Sequence, residues 1–516
     1  RLSALPAVTL DTGATLQLAG DQTLGTLAGG GHLALAGFTA TTGTGGDSVF
    51  AGAASGSGGL VKVGPSTFTL AGANSYTGPT RVDAGTLAVT GTLASSTLDV
   101  VAGTLALAAP HRLADNAAVQ VQSGTHFTLA GSDTLGSLML AGTLAGSGTL
   151  TAASITLQGG TAHLDLGTGA LVSRGASSLA GLSAAGTVAV ESGVLTLVSG
   201  SRFTATPAAN VAAGAELRMG GNETLGSLAG AGTLALQGFT LTTGIGGDSS
   251  FAGVMQGSGG LVKQGSSRFT LAGANTYTGT TQVDAGTLAV AGTLESASLV
   301  VGAGATAALT APHRLADTAQ VQVRAGGTLT LAGDDTVASV AIAGTLGGSG
   351  RLTAGSYTLD SGTVTADLGT GTFTSTGAST LAGTASASNV TVQAGSLALG
   401  AAGRLDDTAA VAVASGATLR LAGDDTVGTL VLAGTLAGSG TLSATTTTLN
   451  SGTVSANLGA GALVSTGSSS LVGTSAASTV AVDSGTLALG AAQRLTVEPA
   501  LTVAGGATLQ LGGDQS

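Results

Sequence analysis

Cysteine and tryptophan are absent from the 516 residues, and tyrosine occurs three times. Without cysteine there is no disulfide, no thiolate zinc site and no cysteine nucleophile. Phenylalanine adds only nine more aromatic rings, so a core has to be built from Leu, Val and Ala. Charge is scarce as well. Charged residues make up 8% of the chain, and acids exceed Lys plus Arg by 26 to 15, giving a net charge of −11. Such a balance is poorly suited to a nucleic-acid partner. No amphipathic helical periodicity stands out, and no apolar run reaches the roughly 18 residues of a membrane-spanning helix. The opening RLSALPAVTL lacks the charged head and apolar centre of a signal peptide.

What the chain has in quantity is glycine, 89 residues of it, set between short apolar-polar runs. One block occurs twice: GSGGLVKVGPSTFTLAGANSYTGPTRVDAGTLAVTGTL from Gly56 to Leu93, and GSGGLVKQGSSRFTLAGANTYTGTTQVDAGTLAVAGTL from Gly257 to Leu294. Runs such as LVK, TFTL and TLAV alternate in period two and are bounded by Gly, Asn and Asp, the pattern of short strands joined by tight turns. A three- or four-residue strand cannot bury its apolar side alone, so such strands are expected to stack. The two lysines, Lys62 and Lys263, fall at equivalent places in this block and are expected to be solvated at a coil edge.

Larger units open with Arg-Leu or Arg-Phe: Arg1, Arg112, Arg202, Arg314, Arg404 and Arg494. They divide the chain into 1–111 (long), 112–201 (short), 202–313 (long), 314–403 (short), 404–493 (short) and a partial copy, 494–516. The long units carry the duplicated block, preceded by GFTATTGTGGDSVF or GFTLTTGIGGDSSF. The short ones carry a run such as DLGTGALVSRGASSLAG from Asp165 instead. The ending GATLQLGGDQS copies the start of Gly13–Thr23 and stops in mid-pattern, so the sequence is expected to be an excerpt of a longer protein.

A period near 90 admits a string of immunoglobulin-like sandwiches or one continuous parallel β-helix. Strand and turn patterns recur every eight to twelve residues inside each unit, and there is no tryptophan to fill a sandwich, which favours the all-β solenoid. Coils of roughly 20 residues, about 4.8 Å apart, predict a rod of about 25 coils on the order of 120 Å long.

The duplicated block resembles the passenger-associated transport repeat, also called the autotransporter-associated β-strand repeat, of Gram-negative autotransporter (type V secretion) passengers. The unit openings, such as Arg314-Leu-Ala-Asp317 with VQV, AGGTLTLAG and DDT, are similar to recurrent passenger coils. This resemblance implies a right-handed parallel β-helix displayed outside the cell as an adhesin, autoaggregation factor, toxin or enzyme scaffold. It implies that Asn74, Tyr76 and Gly78, with Asn275, Tyr277 and Gly279, serve folding during export. The signal peptide and any outer-membrane barrel are then expected outside this excerpt, leaving the barrel as the route to a membrane.

Acidic residues recur at Asp21, Asp133, Glu223, Asp334-Asp335, Asp424-Asp425 and Asp514. In a β-helix, occurrences 90 to 112 residues apart lie about 20 Å apart along the axis, too far for a shared metal or a glycosidase carboxylate pair. An isolated Asp-Asp also falls short of calcium's six to eight ligands, so these are expected to be turn residues, with Asp334, Asp335, Asp424 and Asp425 the weak candidates for loose cation binding. Asp47 and Asp248 follow Gly-Gly as in the nonapeptide calcium repeat, but they occur once per long unit and not in tandem. Five histidines show no paired metal spacing, and His111 and His313 are repeat equivalents expected in surface turns. No nucleophile elbow or phosphate loop is present, so no enzyme activity and no cofactor are expected. A carbohydrate lyase or hydrolase would need a non-repeated loop dense in charge, and none stands out. The expected role is a structural or adhesive rod acting in adhesion, autoaggregation, or biofilm or filament formation. Its partners would be copies of itself, lateral or end to end, or a host or neighbouring cell surface or matrix. The alternative is an inert scaffold for a passenger enzyme or toxin domain elsewhere.

Overall fold

The structure, a computed structural model, describes residues 5–514, so the first Arg-Leu pair lies outside the described residues. Among the described residues every element is a strand. The chain divides into two compact units, one up to Gly259 and one from Gly260. Each is a parallel β-solenoid, and together they contain about 28 turns. The sandwich alternative fails on pairing, because the ladders that join the strands are parallel, as in Thr86–Val89 on Thr67–Leu70 and Gln320–Val323 on Ser298–Val301.

A turn has three sides. In the second unit Gln320–Val323 and Thr328–Leu331 form two of them, and Asp335–Ile342 starts the third before bending into the next turn. A four-residue strand suffices because every turn is paired above and below, and alternate side chains point in. In Thr104–Leu107, Leu105 and Leu107 are buried and Ala106 faces out. Stacked on Leu87 and Val89, such residues form apolar columns, each side chain contributing about 1.5–3 kcal/mol by burial. Most of the few aromatics lie inside: Phe50, Phe68, Phe127 and Phe269 are fully buried, whereas Phe38 is exposed. The corners need glycine where coils touch. Gly103 has φ +91°, and a Cβ there would lie 2.1 Å from the carbonyl oxygen of Gly85 one coil away.

The register explains the 90-residue period. In the unit that opens at Arg112, the inward column Val121, Leu140, Leu157, Ser173, Val190, Val211 advances by 19, 17, 16, 17 and 21 residues, closing at 90 after five turns. These coils average 18 residues against the roughly 20 expected from sequence, and the total of about 28 turns fits the expected rod of roughly 25. The first long unit behaves differently. Its column Leu10, Gly29, Phe50, Leu70, Val89, Leu107 reaches Leu129 after six turns, although the repeat equivalent of Leu10 is Val121. Val121 instead lies at the end of the column Thr42, Lys62, Val82, Val100. The long unit therefore makes about five and two-thirds turns and carries equivalent strands to the next side of the solenoid.

Candidate functional site

The duplicated block folds as successive coils whose polar side chains bind coil to coil. Asn74 is buried in the two-residue strand Ala73–Asn74. Its Oδ1 accepts from the N–H of Ala54 in the preceding coil (3.1 Å), and its Nδ2 donates to the carbonyls of Gly72 (2.8 Å) and, in the next coil, Thr92 (3.2 Å). One amide thus joins three coils with its hydrogen-bonding capacity used on backbone. Asn275 repeats the two donations, to Gly273 at 2.9 Å and Thr293 at 3.2 Å.

Tyr76 lies inside the solenoid at 0% exposure, its hydroxyl 2.7 Å from Thr80 Oγ1; Tyr277 and Thr281 repeat the pair at 2.6 Å. Burial pushes both phenols well above their ordinary range, so they remain neutral. Gly78 is needed for contact: a Cβ there would stand 2.3 Å from the carbonyl oxygen of Gly58. Its own carbonyl accepts from Ser95 Oγ of the next coil at 2.7 Å, as that of Gly279 accepts from Ser296 at 2.6 Å.

The lysines correct the sequence expectation, since Lys62 and Lys263 are both 0% exposed. Lys62 Nζ donates to the carbonyls of Val63 (2.8 Å), Gly64 (2.8 Å) and, one coil on, Ala84 (3.1 Å). Glycines make the room: a Cβ at Gly43 would meet the lysine stem at 2.9 Å, and one at Gly85 would meet Nζ at 2.8 Å. Burial lowers the Lys62 pKa, opposed by the Asp47 carboxylate, which itself accepts from the N–H of Thr67 at 2.7 Å. Lys263 repeats the donations to Gln264, Gly265 and Ala285. The clue was in the sequence, because period-two alternation puts Lys62 on the same side as buried Leu60.

The recurrent acids occupy two positions and not one. The inner position holds Asp133, Glu223, Asp335 and Asp425, all buried. Each accepts from the backbone N–H of the arginine that opens the unit: Arg112 at 2.7 Å, Arg202 at 2.6 Å, Arg314 at 2.7 Å and Arg404 at 2.8 Å. The guanidinium groups reach the coil before, as Arg112 Nη1 does to Thr90 O (3.2 Å) and Arg404 Nη1 to Ala382 O (2.7 Å). Burial raises all four carboxyl pKa values, with the backbone N–H bonds acting the other way. The outer position holds Asp21, Ser132, Asn222, Asp334 and Asp424, each accepting from an N–H one coil ahead, for example Arg351 to Asp334 at 2.8 Å and Thr441 to Asp424 at 2.7 Å. Ser and Asn serve there as well as Asp, so an acceptor oxygen matters and a charge does not. The two carboxylates of each Asp-Asp pair therefore serve opposite neighbours, and among the described residues no three His, Asp or Glu side chains gather where a metal could be held. His111 and His313 sit in tight turns at φ +55°, at the place Gly403 fills with φ +62°.

The described residues form a parallel β-solenoid in which buried Asn, Tyr, Lys and acidic side chains hydrogen-bond within and between coils. Within it, the family model of the passenger-associated transport repeat matches residues 60–89 and 261–290, which hold Lys62, Asn74, Tyr76 and Gly78 and their counterparts. Such repeats belong to autotransporter passengers, which are exported to the cell surface or beyond. Comparisons with curated proteins and with solved structures give no match.

Proposed function

We propose that this chain is a structural and adhesive segment of an autotransporter passenger at the surface of a Gram-negative bacterium, or released from it, acting in adhesion, autoaggregation, or biofilm or filament formation. The observation that carries the reading is the pair of transport repeats at 60–89 and 261–290, set in coils whose buried Asn, Tyr and Lys side chains bond to neighbouring coils. Chemistry of this kind supplies length and rigidity and suits a scaffold more than a catalyst. Export through an outer-membrane barrel and type V secretion belong to the same proposal.

The test is to add purified chain to bacterial cells, extracellular matrix and itself. Faster settling of cells, retention on matrix, or concentration-dependent particles support the reading. Monodisperse protein that binds none of them overturns adhesion and leaves the chain as the inert scaffold of a domain elsewhere.

A further inference from the structure

The three short units are near copies, and one of them departs from the other two at three positions that lie together. In the unit that opens at Arg314 these are Arg324, Ala341 and Asp360. Their equivalents are Gln122, Met139 and Gln158 in the unit from Arg112, and Ala414, Val431 and Asn450 in the unit from Arg404. Met139 and Val431 project from their coils, 38% and 45% exposed, where Ala341 leaves a gap.

The ladder brings the three side by side. Val323, Ile342 and Leu359 stack as an inward column, so Arg324, Ala343 and Asp360 form the corner column after them, and Gln322, Ala341 and Thr358 the outward column before them. Together they shape a notch of about 410 Å³. Its floor is Ala341 and Ala343, one wall is Gln322 and Arg324, and the other is Thr358 and Asp360. Neither the Arg324 guanidinium nor the Asp360 carboxylate has a hydrogen-bonding partner among the described residues. Asp284, two coils to the other side of Arg324, is already engaged, its Oδ1 accepting from Gln282 Nε2 at 2.6 Å.

A cation on one wall and an anion on the other select a ligand by sign. An anion drawn to Arg324 is repelled by Asp360 and by the net charge of −11, and a cation drawn to Asp360 is repelled by Arg324. A molecule that carries both charges satisfies both walls. The Cα atoms of the walls lie two coil spacings apart, about 9.6 Å. Their side chains shorten that gap, and two residues of extended chain, roughly 7 Å, span what is left. A single amino acid holds both charges on one carbon and is too short to reach both walls.

We propose that this notch binds a peptide zwitterion of dipeptide size, its carboxylate on Arg324, its ammonium on Asp360 and its backbone across Ala343. The guanidinium can hold a carboxylate through two parallel N–H bonds, and Gln322 and Thr358 stand beside the peptide group. The notch is open to solvent on its outer side, so the dissociation constant is expected at roughly 1–10 mM. This site is separate from the adhesive role.

The experiment is saturation-transfer NMR on the full chain with alanyl-alanine, titrated to about 20 mM, with circular dichroism to verify that each variant folds. The dipeptide is expected to bind. N-acetyl-alanyl-alanine and alanyl-alanine amide, each lacking one charge, and alanine itself bind at least tenfold more weakly. Arg324→Gln and Asp360→Asn, which install residues found in the sister units, each weaken binding at least tenfold, as does Ala341→Met, which refills the gap. Arg420→Gln, on a different side, leaves it unchanged. No binding at the highest concentration, equal binding of the capped peptides, or binding indifferent to Arg324→Gln and Asp360→Asn overturns the proposal. Acetate that binds as tightly as the dipeptide marks an adventitious ion only, at Arg324, and also overturns it. Settling of cells and retention on matrix are expected to be the same for Arg324→Gln and the unaltered chain, so failure of this site leaves the adhesive reading standing.

Discussion

The backbone N–H of Arg112 donates to Asp133 Oδ2 at 2.7 Å across one turn of the solenoid, so the residue that opens the unit is fixed by an acid 21 positions later. The same bond recurs at Arg314 and Asp335 and at Arg404 and Asp425. Because burial raises these carboxyl pKa values above those of the unfolded chain, the folded state binds protons more readily. Their contribution to stability is fully present below the unfolded value near 4 and is lost as pH rises through the folded values. Asp367 works in the opposite sense: hydrogen bonds from Thr384 lower its pKa, so its contribution disappears in stronger acid. The thermal midpoint is therefore expected to be higher near pH 4.5 than at pH 7. A variant combining Asp133→Asn, Glu223→Gln, Asp335→Asn and Asp425→Asn should flatten that difference. Melting curves across pH check both, and a steeper dependence in the variant would count against the assignment.

Removing the Tyr76 hydroxyl by Tyr76→Phe leaves Thr80 Oγ1, itself 1% exposed, without its partner. The expected loss is about 1–2 kcal/mol, against about 3–5 kcal/mol for Tyr76→Ala, which adds a cavity. Denaturant titration followed by circular dichroism measures both. Equal losses would mean that the ring is not packed inside.

Gly78→Ala forces a methyl group against the Gly58 carbonyl and should cost on the order of 3 kcal/mol. Gly124→Ala is the contrast: nothing lies within 4 Å of the new Cβ, and only the backbone angle of +78° opposes it, at about 1 kcal/mol. Limited proteolysis should cut the first variant near its coil and spare the second.

Folded protein is expected to leave Lys62 and Lys263 unlabelled by an amine-reactive ester, whereas both label in denaturant. Peptide mass spectrometry reads the difference directly. Lys62→Met, which withdraws a donor from three carbonyls while removing a buried charge, should lower stability by about 1–3 kcal/mol.

Adjacent residues of one strand should differ sharply. Leu331 is 1% exposed, and Leu331→Asp is expected to cost on the order of 4 kcal/mol. Thr330, its outward neighbour, should accept Asp within about 0.5 kcal/mol. Similar melting of the two variants would reverse the in-out assignment.

Much of this was legible in the sequence for a physical reason: period-two patterning and glycine spacing depend on the backbone alone. The parallel stacking, the inward Leu331 and the turn position of His111 all follow from it. What escaped was set by pairing between coils. Lys62 reads as a surface residue until the carbonyl of Ala84 is brought over it from 22 residues away. Asp133 and Asp21 look equivalent until the register shows one facing the arginine behind and the other accepting from Thr39 ahead. The unequal length of the coils was not legible, because a coil of 16 to 17 residues looks no different in sequence from one of 21.

The fractional winding of the first long unit gives the repeat a heading as well as a length. A chain that gains or loses a five-turn unit becomes longer or shorter and keeps its azimuth. One that gains or loses a unit like 1–111 also swings the coils that follow it in the same compact unit by about a third of a revolution. Three such units would restore the starting direction, so the order in which the two kinds of unit are spliced is an angular code for where around the axis any patch is presented.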